Sequence, residues 1–214
     1  MGAGDLGELA GPAGEPAPEP GGEPPSRRRL VVGLGNPGAR YADTRHNVGF
    51  RVVEELARRK GVSLGRNECN ALVGEVGEVR LALPQTFMNR SGYATRCLVE
   101  RHGFAPAEIL VVLDEVALPL GRLRLRPSGS PGGHRGLESI LESLQSDAVH
   151  RLRLGVREEG DELTGEALAD YVLAPFSPAG RETVEAMVAR GADACESWLA
   201  EGMGRAMDRF NGPA

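Results

Sequence analysis

Apolar residues recur along the chain in two rhythms. Leu30–Leu34 and Ile109–Leu113 are short, continuous runs rich in Val and Leu, the pattern of strands buried on both faces. Asn47–Lys60 instead spaces Val48, Val52, Val53, Leu56 and Ala57 as one face of a helix. Ser91–His102 reads as a second helix, and Arg135–Ser146, with Leu137, Ile140, Leu141 and Leu144, as a third. Ala71–Val76 and Glu78–Leu83 flank Gly77 and predict a β-hairpin. Gly121–Arg126 and Val149–Val156 alternate with the period of half-exposed strands. Pro178–Arg209 is mostly helical with a break near Gly202. Strands and helices interleave, one hairpin is inserted, and no internal repeat is seen. This order predicts an α/β fold: a single domain with a mixed twisted β-sheet and helices on both faces.

Composition adds boundaries. A chain of 214 residues, 41% apolar, can bury a real core in one domain plus a tail. Its longest apolar runs are far too short to span a membrane. Residues 1–26 are mostly Gly, Pro, Glu and Ala, with acids at Asp5, Glu8, Glu15, Glu19 and Glu23 and no base. Such a segment cannot bury apolar surface and is expected to be a disordered tail, leaving the folded domain to residues 27–214. It has no apolar signal core and is too acidic for a mitochondrial presequence. Its five acids account for the whole net charge of −5, so the body is neutral and any basic surface is local. The three cysteines, Cys69, Cys97 and Cys195, are widely spaced and odd in number. They suggest neither a disulfide framework nor a zinc site, and a reducing, cytoplasmic location is expected.

The first strand runs into Gly33-Leu34-Gly35-Asn36-Pro37-Gly38, which fits G-x-G-x-x-G letter for letter. A dinucleotide fingerprint needs a helix to begin at those glycines, so that its N-terminus faces the pyrophosphate. Here Pro37 and Gly38 intervene, and the amphipathic stripe begins only near His46 or Asn47. Glu54 and Glu55 lie inside that helix, not at a second strand end. The better reading is a stiff loop beyond a strand end that presents Asn36.

Five blocks then act together. They are GLGNPG, Tyr41–Phe50 (YADTRHNVGF), Leu83–Gly92 (LPQTFMNRSG), Leu113–Glu115 (LDE) and Gly129–Leu137 (GSPGGHRGL). In order and spacing the set resembles the bacterial-type peptidyl-tRNA hydrolases, from about Leu30 to Arg209. The resemblance implies cleavage of the ester that joins a peptide to the 3′ end of tRNA. It implies a monomer that takes peptidyl-tRNA, and neither DNA nor a membrane, as its partner.

Ester hydrolysis needs a base for water, a group that orients the base, and donors for the oxyanion. On the resemblance, His46 in Thr44-Arg45-His46-Asn47 is the base, since an imidazole titrates near neutrality. Asp114, after the apolar run Ile109–Leu113, is the orienter and is expected at a strand's carboxyl end. Asn36 and Asn89 are expected to bind peptide backbone or ester carbonyl, since an amide both donates and accepts. Phe87 and Met88 would pack on the terminal adenosine or the peptide. Tyr41 is a possible further wall, and Asn47 is either a helix-start residue or a ligand contact. His134 lies in a matching block, but the resemblance gives it no catalytic role.

Arg122, Arg124 and Arg126 share one strand face, and Arg151 and Arg153 share one face of a later strand. If the faces coincide they can grip tRNA phosphates. The resemblance implies that role for Arg126 and Arg153, with Arg124 beside them. The loop Ser128–Gly133 has no nucleophile elbow, so direct attack by water is expected, without covalent intermediate, cofactor or metal. The chain departs from the family at Arg135, where many members carry an Asn that helps bind substrate. It also departs at Ala117, where a second acid is missing, and at Pro131. A non-catalytic RNA-binding relative is the rival from another class. The intact set Asn36, His46, Asn89 and Asp114 favours the enzyme, and Arg135 leans the other way.

Overall fold

The structure is a computed structural model that describes residues 28–160, 165 and 167–212, with Met1. The segment expected to form a disordered tail over 1–26 lies, apart from Met1, outside the described residues. The strands are β1 (Arg29–Gly33), β2 (Arg66–Glu68), β3 (Ala71–Val76), β4 (Val79–Pro84), β5 (Ile109–Pro119), β6 (Leu123–Arg126) and β7 (His150–Arg157). They form one sheet in the order β2-β3-β4-β1-β5-β7-β6. β4, β1, β5 and β7 run parallel at its centre, and β2, β3 and β6 join antiparallel toward the edges. The helices are α1 (Val48–Arg59), α2 (Ser91–His102), α3 (Arg135–Leu144), α4 (Ala167–Leu173), α5 (Arg181–Glu201) and α6 (Met203–Phe210). The expected mixed α/β sheet with helices on both faces is what forms.

Alternate residues of each central strand point to opposite faces. Val31, Leu110, Val112 and Leu152 pack under α1, α5 and α6, with Trp198 and Met187. Leu30, Val32, Ile109 and Leu113 pack under α2 and α3, with Leu98 and Ile140. Both faces being covered explains the unbroken apolar runs in β1 and β5.

Close approach is built from glycine at two places. A Cβ on Gly49 would lie 2.4 Å from the Val112 carbonyl oxygen, so α1 starts flush against β5. A Cβ on Gly92 would lie 2.1 Å from the Ser139 carbonyl oxygen, which draws α2 against α3. The first approach sets the residues before α1 beside β5. The second brings the turn before α2 near the start of α3.

Three expectations are corrected. Cys69 and Cys97 form a disulfide, with Cα atoms 5.6 Å apart. Cys69 sits in the turn between β2 and β3, which folds back onto α2, a proximity that linear spacing does not reveal. The cysteine count therefore no longer argues for a reducing compartment. Cys195 is buried in α5, and burial pushes its thiol pKa well up. Asp114 does not end its strand, because β5 continues to Pro119. Neither β2 nor α4 follows from the apolar pattern: β2 reads Arg-Asn-Glu, and α4 buries none of its residues in the core. No helix among the described residues is long and apolar enough to cross a membrane.

Candidate active site

The central cleft opens where β1 stops. β1 pairs with β4 on one side and β5 on the other, and its last pairing is Gly33 with Val112. Asp114 therefore stands just beyond the end of its neighbour, in the crevice where open α/β sheets keep ligands. The cleft holds about 480 Å³ and is lined by Asn36, His46, Asp114, Phe87, Met88 and Asn89, among others. Tyr41 is not part of its wall; its hydroxyl pairs with Arg40.

Two asparagines lock the loop after β1. The Asn36 backbone N–H donates to Asn47 Oδ1 at 2.9 Å, and Asn47 Nδ2 donates to the Asn36 carbonyl at 2.9 Å. Asn47 is thus a clamp between loop and helix. The Met88 backbone N–H donates to Asn36 Oδ1 at 2.8 Å. That bond fixes the amide orientation, so Asn36 offers the cleft its Nδ2 donors. The sequence expectation that Asn36 both donates and accepts toward substrate is narrowed to donation. Asn89 is exposed on the 3-10 turn Met88–Arg90 and keeps both capacities.

His46 ends up on the 3-10 turn Arg45–Asn47 that leads into α1. Its Nδ1 is 2.8 Å from Asp114 Oδ1. His134 Nε2 is 3.0 Å from the same oxygen. The tautomer of His134 is settled by its other nitrogen, since Nδ1 accepts the Leu137 backbone N–H at 3.2 Å as the N-cap of α3. Its Nε2 therefore carries the proton and donates to Asp114. With His46 donating from Nδ1, the His46 Nε2 lone pair is left free. His134 is the functional residue that sequence reasoning undervalued; its place directly before an amphipathic helix was the available signal.

Electrostatics follow from this packing. Burial lowers the His46 pKa, but the Asp114 charge and its hydrogen bond outweigh burial, and Arg135 pulls back down; the net shift is upward from 6.5. Burial would raise the Asp114 pKa. The charges of His46 and His134 and their donated bonds instead hold the carboxyl well below the usual range. His46, Asp114 and His134 also form a cluster whose ligand atoms lie within 4.8 Å of one another, enough in principle for a cation. Asp114 Oδ1 is already shared by His46 Nδ1 and His134 Nε2, and His134 Nδ1 is taken by the Leu137 N–H, so of these nitrogens His46 Nε2 alone keeps an open lone pair. Arg135 is exposed at the first residue of α3 and lines the same cleft.

A second hollow of about 270 Å³ shares Glu115 with the first. Antiparallel register sets Arg124 opposite Arg153 and Arg126 opposite Arg151, so the two arginine faces do coincide. Arg151 is fully buried and donates to the Asp147, Val149 and Gly129 carbonyls, which ties down the loop before α3. Burial, with Arg153 nearby, pushes its pKa down to about 10. Arg153 pairs with Glu115 and donates to the Ser130 carbonyl at 2.9 Å. Arg124 and Arg126 are exposed.

Comparison with known proteins points to one family. A family model described as peptidyl-tRNA hydrolase matches residues 30–214. The peptidyl-tRNA hydrolase of Moorella thermoacetica is 48% identical over 187 residues, covering 85% of this chain and 97% of that protein. That of Synechococcus sp. strain JA-3-3Ab is 46% identical over 189 residues, covering 86% and 82%. A crystal structure of peptidyl-tRNA hydrolase from Acinetobacter baumannii superposes with a TM-score of 0.79 at 33% identity, covering 89% of this chain and 98% of that one.

Proposed function

The chain belongs to the peptidyl-tRNA hydrolase family and hydrolyses the ester bond of peptidyl-tRNA, and on that premise we propose that His46 is the base and Asp114 its orienter. Water bound in the cleft loses a proton to His46 Nε2 and attacks the ester carbonyl carbon. The tetrahedral oxyanion is met by the Asn36 Nδ2 donors, whose direction is already set by Met88. Collapse breaks the bond to the ribose oxygen, and the imidazolium returns its proton to that oxygen. The products are a peptide carboxylic acid, which ionises by releasing its proton to solvent, and a tRNA with its 3′-terminal hydroxyl. Asp114 steadies the imidazolium throughout and keeps Nδ1 protonated before it forms.

The observation that carries this reading is the 2.8 Å bond from His46 to a buried carboxylate at the bottom of a cleft. Asn89 and Phe87, which line the same cleft, serve the peptide and terminal base. Arg135 adds a cation to the cleft lining, and its charge opposes the α-ammonium of an unblocked aminoacyl ester, which favours N-blocked substrates. Arg124, Arg126 and Arg153 take tRNA phosphate; Arg151, turned into the protein, does not. Release of tRNA from an N-acetylaminoacyl-tRNA, measured beside the unblocked ester, tests the assignment. The wild type should cleave only the blocked ester and His46→Ala neither. Turnover by a folded His46→Ala protein at the wild-type rate would remove His46 as base.

A further inference from the structure

Helix α4 has an apolar side without a core. Leu168, Val172 and Leu173 belong to neither hydrophobic cluster of the domain. Leu173 is 43% exposed. With Ala169, these three residues line the catalytic cleft together with His46 and Asn36. An apolar surface of this kind has to be held in place by something other than burial.

Arg45 supplies the hold, and it is the residue before the base. Its Nη1 donates to the carbonyls of Pro175 at 2.7 Å, Ala174 at 3.3 Å and Tyr171 at 3.4 Å, all at the carboxyl end of α4. A cation there also suits the helix dipole. The guanidinium carbon lies 4.0 Å from the centre of the Tyr171 ring. Its Nη2 pairs with Glu158, which also accepts from Ser177. The Arg45 backbone N–H donates to the Ala174 carbonyl at 3.1 Å, and Thr44 bridges to Pro175. Arg45 is only 6% exposed. Tyr171, in turn, accepts from the Glu158 N–H at 3.0 Å and donates to the Val156 carbonyl at 2.9 Å.

We infer that Arg45 is a positioning residue that holds the apolar face of α4 over the cleft as a receptor for apolar side chains of the substrate's peptide. The inference rests on the function proposed above and adds a preference to it. The occupant follows from continuity: the apolar wall and the base share one cleft, so whatever presents its ester to His46 lays its acyl part along α4. His46 itself is held from the other side by Asp114, so loosening α4 leaves the base in position.

The test uses one tRNA acylated with either N-acetylphenylalanine or N-acetylglycine, so the nucleic acid is constant. The wild type should favour the phenylalanyl ester by about tenfold in kcat/KM, the usual size of a hydrophobic side-chain discrimination. Val172→Ser should bring that ratio near one, mainly through KM of the phenylalanyl ester, with a smaller loss on the glycyl ester. Arg45→Gln should do the same. Arg45→Lys should rescue only in part, because an ammonium cannot reach Glu158 and three carbonyls in one plane. The Arg45→Gln, Val172→Ser double variant should lose no more than either single one.

A ratio that survives both substitutions overturns the inference. So does an equal loss on both esters, which would make Arg45 merely structural. If Arg45→Gln does not fold, Val172→Ser decides alone. A wild type that cleaves neither ester overturns the proposed function, and this inference with it. A wild type that cleaves both esters equally overturns only the preference.

Discussion

Replacing Asp114 with Asn isolates charge from shape. The variant keeps an oxygen where Oδ1 stands, and His134 holds it there, because the Leu137 N–H at His134 Nδ1 obliges Nε2 to donate. His46 can therefore keep its Nδ1 proton and its free Nε2. What is lost is the attraction between the carboxylate and the imidazolium that forms in the transition state. With charge centres about 4 Å apart and an effective dielectric near 20, that attraction is about 4 kcal/mol, or about a thousandfold in rate. The pH profile must move as well. His46 acts in its neutral form, so kcat/KM rises as pH climbs through its pKa. In the native protein that limb lies above 6.5 because Asp114 overrides burial and Arg135. Without the carboxylate charge, burial and Arg135 are opposed only by a hydrogen bond to a neutral oxygen, so the limb should move down. Release of tRNA from N-acetylaminoacyl-tRNA across pH 5 to 9 reads both effects. Adding His134→Ala should cost at least a further tenfold, because the amide is then free to turn its NH2 toward His46 and impose the wrong tautomer. A loss below tenfold in Asp114→Asn, or a limb that stays in place, would refute this account of the pair.

Two further outcomes follow from the same geometry. Arg124→Ala with Arg126→Ala should weaken tRNA binding and reduce the slope of log affinity against log salt, by about 0.7 to 0.9 for each phosphate that is no longer neutralised; an unchanged slope would remove these side chains from the phosphate site. Reduction of Cys69–Cys97, which spans 28 residues, should cost about 3 to 4 kcal/mol of stability in a chain-entropy estimate, read as a drop in Tm of the native protein in reductant.

Much of the fold was legible because the chain states it twice. The runs in β1 and β5 are apolar at every turn of the pleat, and only a sheet covered on both faces asks for that. α1, α2 and α3 show helical spacing, and their starts agree with it to within one residue. β2 and α4 escaped for a shared reason. Neither owes its existence to burial, so neither leaves a periodic trace: β2 is an edge of polar residues paired with β3, and α4 hangs on Arg45 and Tyr171. The disulfide escaped because a hairpin turn can fold back onto a distant helix without any mark in the spacing of cysteines.

The site was legible in its parts and not in its couplings. Each motif could be named for the side chain it presents, yet the structure spends many of those atoms on one another. Asn47 is consumed by the backbone of Asn36, and the Asn36 oxygen by the backbone of Met88. Arg151 is consumed by carbonyls of the loop before α3, and Arg153 is shared between Glu115 and Ser130. What reaches the substrate is therefore the remainder: one face of the Asn36 amide, one nitrogen of His46, the exposed Asn89 and Arg135, and Arg124 and Arg126 with what Arg153 can still share. At the reacting centre that remainder is one fixed donor group and one base, which suits an enzyme that must meet an oxyanion in one place while accepting many peptides. The selectivity then has to come from walls that are not so tied, and α4, held at its carboxyl end by the neighbour of the base, offers apolar surface there alongside Phe87.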